Sequence, residues 1–354
     1  MTQRFLSHQE LASLVAELLA AKTRVIAPVR AKDDPEQVEY QPIQSLEDAA
    51  LGVRIPRRSL KEFFLPPTEV LLHYRQTKTG VEIREVATVA PPQVILGALP
   101  CDAAGVAAVD KVMNWDYRDE LWFGRREATT IVSFLCSLMD ATCFCTAVGL
   151  GPESSTGSDV LLAPVTGGYL AHLVTPKGEA LLQAHGSEAS EATLAAAEAA
   201  QREARQKVEQ NLAAIPAEFA GWLASNFDNP VWKTIALRCH GCGGCAALCP
   251  TCHCFDIVDE HESADEGVRR RNWDSCQTAL FTLHASGHNP RQSQSERFRQ
   301  RIQHKFSIYP SRFGEILCSG CGRCSRNCPG GMDLPTIVGE LVAMAQAKPE
   351  AGGQ

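Results

Sequence analysis

Apolar residues along this chain fall into runs of different period, and each period predicts a different element. Ser7-His8-Gln9-Glu10 has the form of a capping box and opens an apolar-rich stretch to Leu19, which predicts a first helix. Short β-type runs follow at residues 24–27, 69–74 and 81–89. Residues 93–99 and 129–135 are nearly continuous apolar stretches suited to buried strands, and the segment between them, 103–113, has helical character. That strand–helix–strand order predicts an α/β domain with a partly parallel, mixed sheet. Residues 159–163 and 169–174 read as a hairpin with Gly167-Gly168 as its turn.

The pattern then changes. Residues 188–213 are alanine-rich, with Glu198/Arg202 and Glu203/Lys207 at i,i+4 spacing. This predicts a surface-packed connecting helix; sustained heptads for a coiled coil are absent. Pro216 and Pro230 bracket a shorter amphipathic segment with Phe219, Trp222 and Leu223. The division expected from these shifts is an α/β domain over 1–230, a second domain over 231–346, and a flexible tail at 347–354.

Composition narrows the class. With 354 residues and 45% hydrophobic content the chain is long enough for two domains and a sizeable core. A net charge of −7 gives no support to general nucleic-acid binding. The first residues lack the apolar core of a signal peptide, and no uncharged run approaches the ~18 residues of a membrane span. Fifteen cysteines grouped as metal ligands in a chain of this size predict a reducing, cytoplasmic setting, not a disulfide framework.

The cysteines carry the chemistry. Cys239, Cys242, Cys245 and Cys249-Pro250 spell C-x2-C-x2-C-x3-C-P, and Cys318, Cys321, Cys324 and Cys328-Pro329 repeat it. This is the ligand spacing of bacterial-type [4Fe–4S] ferredoxins, in which the fourth cysteine of each run serves the other cluster. The expected ligand sets are therefore Cys239, Cys242, Cys245 and Cys328 for one cluster, and Cys318, Cys321, Cys324 and Cys249 for the second. Zinc sites usually show paired C-x2-C knuckles, not triplets ending in Cys-Pro. Residues 250–317 separate the motifs, far more chain than a minimal ferredoxin needs. Helical periodicity at 277–284 and 295–304 predicts an enlarged, mostly helical dicluster domain, so the fold class expected overall is α+β. Arg269-Arg270-Arg271 leads a basic stretch that reads either as a solvated face or as a docking surface and source of positive charge near the clusters.

Seven cysteines remain. Cys101 and Cys136 each follow one of the buried strands, so parallel pairing of those strands would bring both thiols to one sheet edge, with Cys143 and Cys145 near enough to join them. Together these four form a candidate site for a third [4Fe–4S] cluster; small buried thiols packed as hydrophobes are the alternative. Cys252, Cys254 and Cys276 make an incomplete set, open to a packing role or to a further metal or sulfur-handling site. The G-x-G-x-x-A match at 241–246 is formed by the ligand loop itself, and neither a P-loop nor an H-E-x-x-H motif occurs, so no catalytic residue stands out.

Longer blocks carry a resemblance. Cys249-Pro250-Thr251-Cys252-His253-Cys254-Phe255, Arg270-Arg271-Asn272-Trp273-Asp274-Ser275-Cys276 and Gly287-His288-Asn289, together with Pro100-Cys101-Asp102, Cys143-Phe144-Cys145 and residues 149–152, resemble the β subunits of cytoplasmic NAD(P)-linked [NiFe] hydrogenases of the sulfhydrogenase type. Similar blocks occur in the A subunit of anaerobic sulfite reductase. The resemblance implies a non-catalytic electron-transfer subunit of an oxidoreductase complex. Its implied partners are a flavin-bearing, NAD(P)-binding diaphorase subunit and the small and large subunits of the hydrogenase. The alternatives are the sulfite reductase subunit itself, or a sulfur- or disulfide-reducing enzyme using Cys252, Cys254 and Cys276.

Overall fold

The computed structural model describes residues 2–347. Residues 348–354, almost all of the expected tail, lie outside the described residues. Eight strands form one mixed sheet: β1 (Gln3–Ser7), β2 (Arg24–Arg30), β3 (Val38–Pro42), β6 (Gln93–Ala98), β7 (Thr129–Phe134), β8 (Val160–Val165), β9 (Gly168–Leu173) and β10 (Ser187–Glu188), in the order β10-β1-β9-β8-β7-β6-β2-β3. Pairing is parallel from β2 through β6 and β7 to β8, and antiparallel outside that centre. Consecutive residues of the central strands serve opposite faces, as the two-residue period demands. Val94, Leu96 and Val132 join one core with Leu11 and Leu14 of the first helix, while Ile95 and Ile131 join the other with Val106, Val109 and Trp122.

The first helix, His8–Ala20, starts at the expected capping box: the Ser7 hydroxyl accepts from the Glu10 amide, and the Glu10 carboxylate accepts from the Ser7 amide at 2.9 Å. The strand–helix–strand unit is present as β6, the helix Pro100–Met113 and β7. The alanine-rich helix, Glu191–Glu209, buries Ala197 and Ala204 against Leu135, Ala163 and Leu170 of the sheet, with the Glu203–Lys207 pair on its outer face.

Two expectations for the inserted segment fail. Residues 277–284 form turns, not a helix, whereas 295–303 fall within a helix, Gln294–Gln303, and His304 starts the π-helical turn that continues it. The insert also opens with an antiparallel hairpin, β11 (Phe255–His261) and β12 (Glu266–Trp273). This hairpin completes a second sheet, β11-β12-β4-β5, with β4 (Thr68–Thr77) and β5 (Gly80–Glu85) from the N-terminal half. Alternation in β11 and β12 is masked by their charged residues, so the local pattern gave no strand signal. Those charges pair across strands: Arg269 with Asp259 and Arg270 with Glu260, both at 2.7 Å, while Arg271 is buried against Glu69 and Asp119. The arginine triplet is thus neutralised within the fold, and no free basic surface is made by it.

Candidate iron–sulfur centre

The two cysteine motifs adopt the same loop. Gly241 and Gly243 flank Cys242 with φ of +67° and +73°, and Gly320 and Gly322 flank Cys321 with φ of +62° and +70°. Left-handed backbone on both sides of the middle cysteine inverts the chain twice, which turns three side chains of a seven-residue segment inward. A short helix follows each loop, Gly244–Ala247 and Arg323–Arg326, and carries the third cysteine.

Each Cys-Pro tail packs on the start of the other loop. Thr251, just beyond Cys249-Pro250, donates to the Leu317 carbonyl beside Cys318 at 3.1 Å. At the other end a side chain at Gly330, just beyond Cys328-Pro329, would collide with the Arg238 carbonyl beside Cys239. The Cys249 thiol lies within electrostatic reach of Cys318 and Cys324. This crossed placement is what two cubes sharing their fourth ligands require.

Cations line the sulfur sites. Arg301 donates to the Cys252 sulfur at 3.4 Å and to the Cys245 carbonyl at 3.3 Å. Lys305 donates to the Cys249 sulfur at 3.4 Å, the Thr251 hydroxyl at 2.7 Å and the Leu317 carbonyl at 3.0 Å. Lys61, also buried, donates to the Ala246 carbonyl and lies 3.8 Å from the Trp273 ring centre. Arg301 and Lys305 stand one turn apart where the helix Gln294–Gln303 runs into a π-helical turn, His304–Ile308. Such turns alter the phase of a helix face and recur at functional sites. Among the described residues none of these three cations is ion-paired to a carboxylate. Burial disfavours the charge of Lys305, yet the thiolates of Cys249 and Cys252 outweigh it and hold its pKa above the ordinary range. Unpaired buried cations are costly, so this donor set calls for anionic sulfur groups. Thiolate-bound [4Fe–4S] clusters meet that requirement.

A further orphan supports the fit. Among the described residues the buried Ser319 hydroxyl, next to Cys318, has no hydrogen-bond partner, and neither does the Thr146 hydroxyl next to Cys145. Each is an unused donor beside a thiol of the kind that tunes a cluster. Burial pushes the Cys318 thiol up to about 12 and Cys324 to about 11. In the metal-free chain these groups hold their protons, and binding iron displaces them.

The N-terminal cysteines converge as parallel strand pairing predicts. Ala98 and Ser133 are register partners in β6 and β7, and Cys101 and Cys136 emerge just beyond them, at the carboxyl ends where α/β sheets place ligands. Cys136 is within electrostatic reach of Cys101, Cys143 and Cys145. Burial pushes the Cys143 and Cys145 thiols up to about 12 each, and Arg326 approaches the Cys143 sulfur at 3.6 Å. The Cys143–Cys145 segment lies directly on the second motif: the Phe144 amide donates to the Gly320 carbonyl at 2.8 Å, and a Cβ at Gly320 would come within 2.5 Å of the Cys145 backbone.

One face of the helix Pro100–Met113 clamps this assembly. Asp102 forms a two-bond ion pair with Arg323, 2.7 Å each, with both side chains fully buried. Tyr40 adds a 2.9 Å bond to the same carboxylate. Gly105 lets Pro250 approach where a side chain would clash, and the Ala108 carbonyl accepts from Tyr309 at 2.7 Å. Lys61, Arg301, Lys305 and Arg323 escaped the sequence reading. Arg323 had a signal there: it stands inside the second motif where the first has Gly244.

Cys252, Cys254 and Cys276 fall into two pairings. Cys252 and Cys249 shift each other's proton affinity in opposite directions, as do Cys254 and Cys276, with Cys249 and Cys276 lowered and their partners raised. His253 stacks edge-on with His304 in the same region, and burial lowers them to about 4 and about 3.

No helix among the described residues is long and apolar enough to cross a membrane. Comparison with known proteins agrees with the geometry. Residues 238–332 match the 4Fe-4S dicluster domain. The chain is 28% identical to sulfhydrogenase 2 subunit beta of Pyrococcus furiosus over 323 residues, which cover 90% of this chain and 92% of that one. No solved structure matches it. The chain is therefore an iron–sulfur electron-transfer protein with a dicluster domain for two [4Fe–4S] clusters, similar over nearly its whole length, N-terminal half included, to a hydrogenase β subunit.

Proposed function

We propose that this chain is the electron-relay subunit of a soluble, cytoplasmic NAD(P)-linked [NiFe] hydrogenase, passing single electrons between a flavin-bearing subunit and the hydrogenase small and large subunits. Cys239, Cys242, Cys245 and Cys328 hold one cluster; Cys318, Cys321, Cys324 and Cys249 hold the second; Cys101, Cys136, Cys143 and Cys145 hold a third. When bound, each cluster supplies a one-electron couple whose potential follows its charge, hydrogen bonds and solvent exposure. The chain's own residues fix the order. Residues 1–230 and 231–346 act as two parts, each bearing clusters, joined by the Asp102–Arg323 pair and the sheet that β4 shares with β12.

The observation that carries this reading is the succession of sulfur sites. It starts beneath the carboxyl ends of β6 and β7, crosses the Phe144–Gly320 backbone bond to the second motif, passes Cys249, and ends at Cys242, which is exposed. A half-buried site at one end and an exposed thiol at the other suit a relay, which needs an outlet within reach of a partner.

Iron quantitation of the anaerobically prepared protein tests the assignment. Three cubes require about 12 iron atoms and two require about 8, at four per cube. Cys143→Ser is expected to lower the larger value by one cube with the other two retained. About 8 iron atoms in the unaltered protein would remove the third cluster. Co-purification with nickel-containing subunits supports the partner assignment; isolation with a sirohaem subunit and no nickel would overturn it in favour of a sulfite reductase.

A further inference from the structure

We propose that Cys254 and Cys276 form a reversible dithiol–disulfide couple, a two-electron site set between the two cysteine motifs. The hairpin puts them together. Its last register pair is Phe255 with Trp273, and one more bond, Asp274 amide to Cys254 carbonyl at 3.1 Å, closes the base. The chain then turns at Ser275, where the Asp274 carboxylate accepts from the Ser275 amide at 2.6 Å. That turn brings Cys276 back toward Cys254, close enough that each thiol changes the other's proton affinity. Two thiols brought together at the closed base of one hairpin are placed to form a disulfide of about 2 Å.

The pair is flanked on both sides. Cys276 lies within electrostatic reach of Cys245 of the first motif. Cys254 reaches Cys252, which lies within electrostatic reach of Cys249 of the second ligand set. A cavity of about 260 Å³, lined by Lys61, Cys242, Cys252, Cys254, Trp273 and Asp274, connects the site to the exposed Cys242. The step balances. Two S–H bonds break and one S–S bond forms; two protons leave through the cavity; two electrons pass, one at a time, to two equivalents of a one-electron acceptor of the iron–sulfur class. Reduction runs the same step backwards. A two-electron store between one-electron sites would hold an electron pair together while carriers on either side exchange single electrons.

The proposal rests on the iron–sulfur reading for its electron acceptors, and iron content keeps the two failures apart. The anaerobic holoprotein is equilibrated over a series of potentials, denatured in an alkylating reagent, and mapped by peptide mass. Cys254 and Cys276 are expected to pass together from two alkylated thiols to one disulfide-linked peptide pair, with a tenfold change in ratio per about 30 mV, the two-electron value. Cys254→Ser should keep its full iron content and leave Cys276 alkylated at every potential. If both thiols in the unaltered protein stay alkylated across the range, or if Cys254→Ser loses a cube of iron, the couple does not exist. Titration of the unaltered protein decides the question even where the variant does not fold.

Discussion

The two cysteine motifs share spacing, glycine positions and loop geometry, yet the protein treats them differently. The second is embedded: Gly320 presses on the Cys145 backbone, Arg323 is fully buried against Asp102, and Lys305 reaches the Cys249 sulfur that completes this set in our assignment. The first lies at the surface. Cys242 is exposed, Leu237 two residues before Cys239 is 81% exposed, and the Cys239 sulfur accepts from the neutral amide of Gln294 at 3.2 Å. Ligand spacing sets which metal group can bind; charge and solvent around the loop set what that group does. The embedded motif is built to be held and tuned, the exposed one to exchange electrons with a partner.

Four experiments would break or sharpen this contrast, taken from the largest expected effect to the smallest. Stripping iron with a chelator should cost most, because metal binding is coupled to folding. Hydrogen exchange should show residues 239–249 losing protection first, with 318–328 retaining more through the Phe144–Gly320 bond and the Asp102–Arg323 pair; equal loss would erase the distinction. Asp102→Ala in the holoprotein should lower stability to urea by about 3–5 kcal/mol, the cost of leaving a buried guanidinium unpaired. A loss under about 1 kcal/mol would mean that water reaches the pair.

Gly320→Ala and Gly241→Ala both force a left-handed residue, at about 1–2 kcal/mol each. At Gly241 the new methyl clashes with the Gln294 side chain, which can swing away, and makes ordinary contact with the Gln277 carbonyl, whereas at Gly320 it clashes with backbone. The Gly320 variant should therefore be the less stable by a further ~1–3 kcal/mol of overpacking, measured as the difference between urea midpoints. Finally, Lys305→Met should lower the reduction potential of the embedded cluster, since a buried positive charge beside its ligand favours the reduced, more negative form. Gln294→Leu removes only a neutral donor and should shift the exposed cluster less in the same direction, as read by spectroscopically monitored redox titration. Equal shifts would show that burial does not separate the two sites.

How much was legible in the sequence varied with the range of the interaction. The capping box at Ser7, the buried strands around the helix Pro100–Met113, and the Gly167 turn are local signals, each written within a few residues. The β11–β12 hairpin was not legible. Its strands alternate charged residues whose partners lie on the opposite strand, and its neighbour β4 is about 190 residues away, so no local window contains the pairing. The arginine triplet shows the same limit: charge read along a chain says nothing about the carboxylates that face it.

The sequence by itself determined the metal chemistry, because the spacing of thiols within one short loop fixes the group they can ligate and needs no knowledge of the rest of the chain. The dicluster match over residues 238–332 agrees with that reading. Only the tertiary structure decided which site is buried, which cations face it, and which thiols become neighbours. Arg323 met Asp102, Lys305 met Cys249, and Cys254 met Cys276 through folding over tens to hundreds of residues. Electrostatics and contact depend on distance through space, and distance through space is what a linear pattern does not contain.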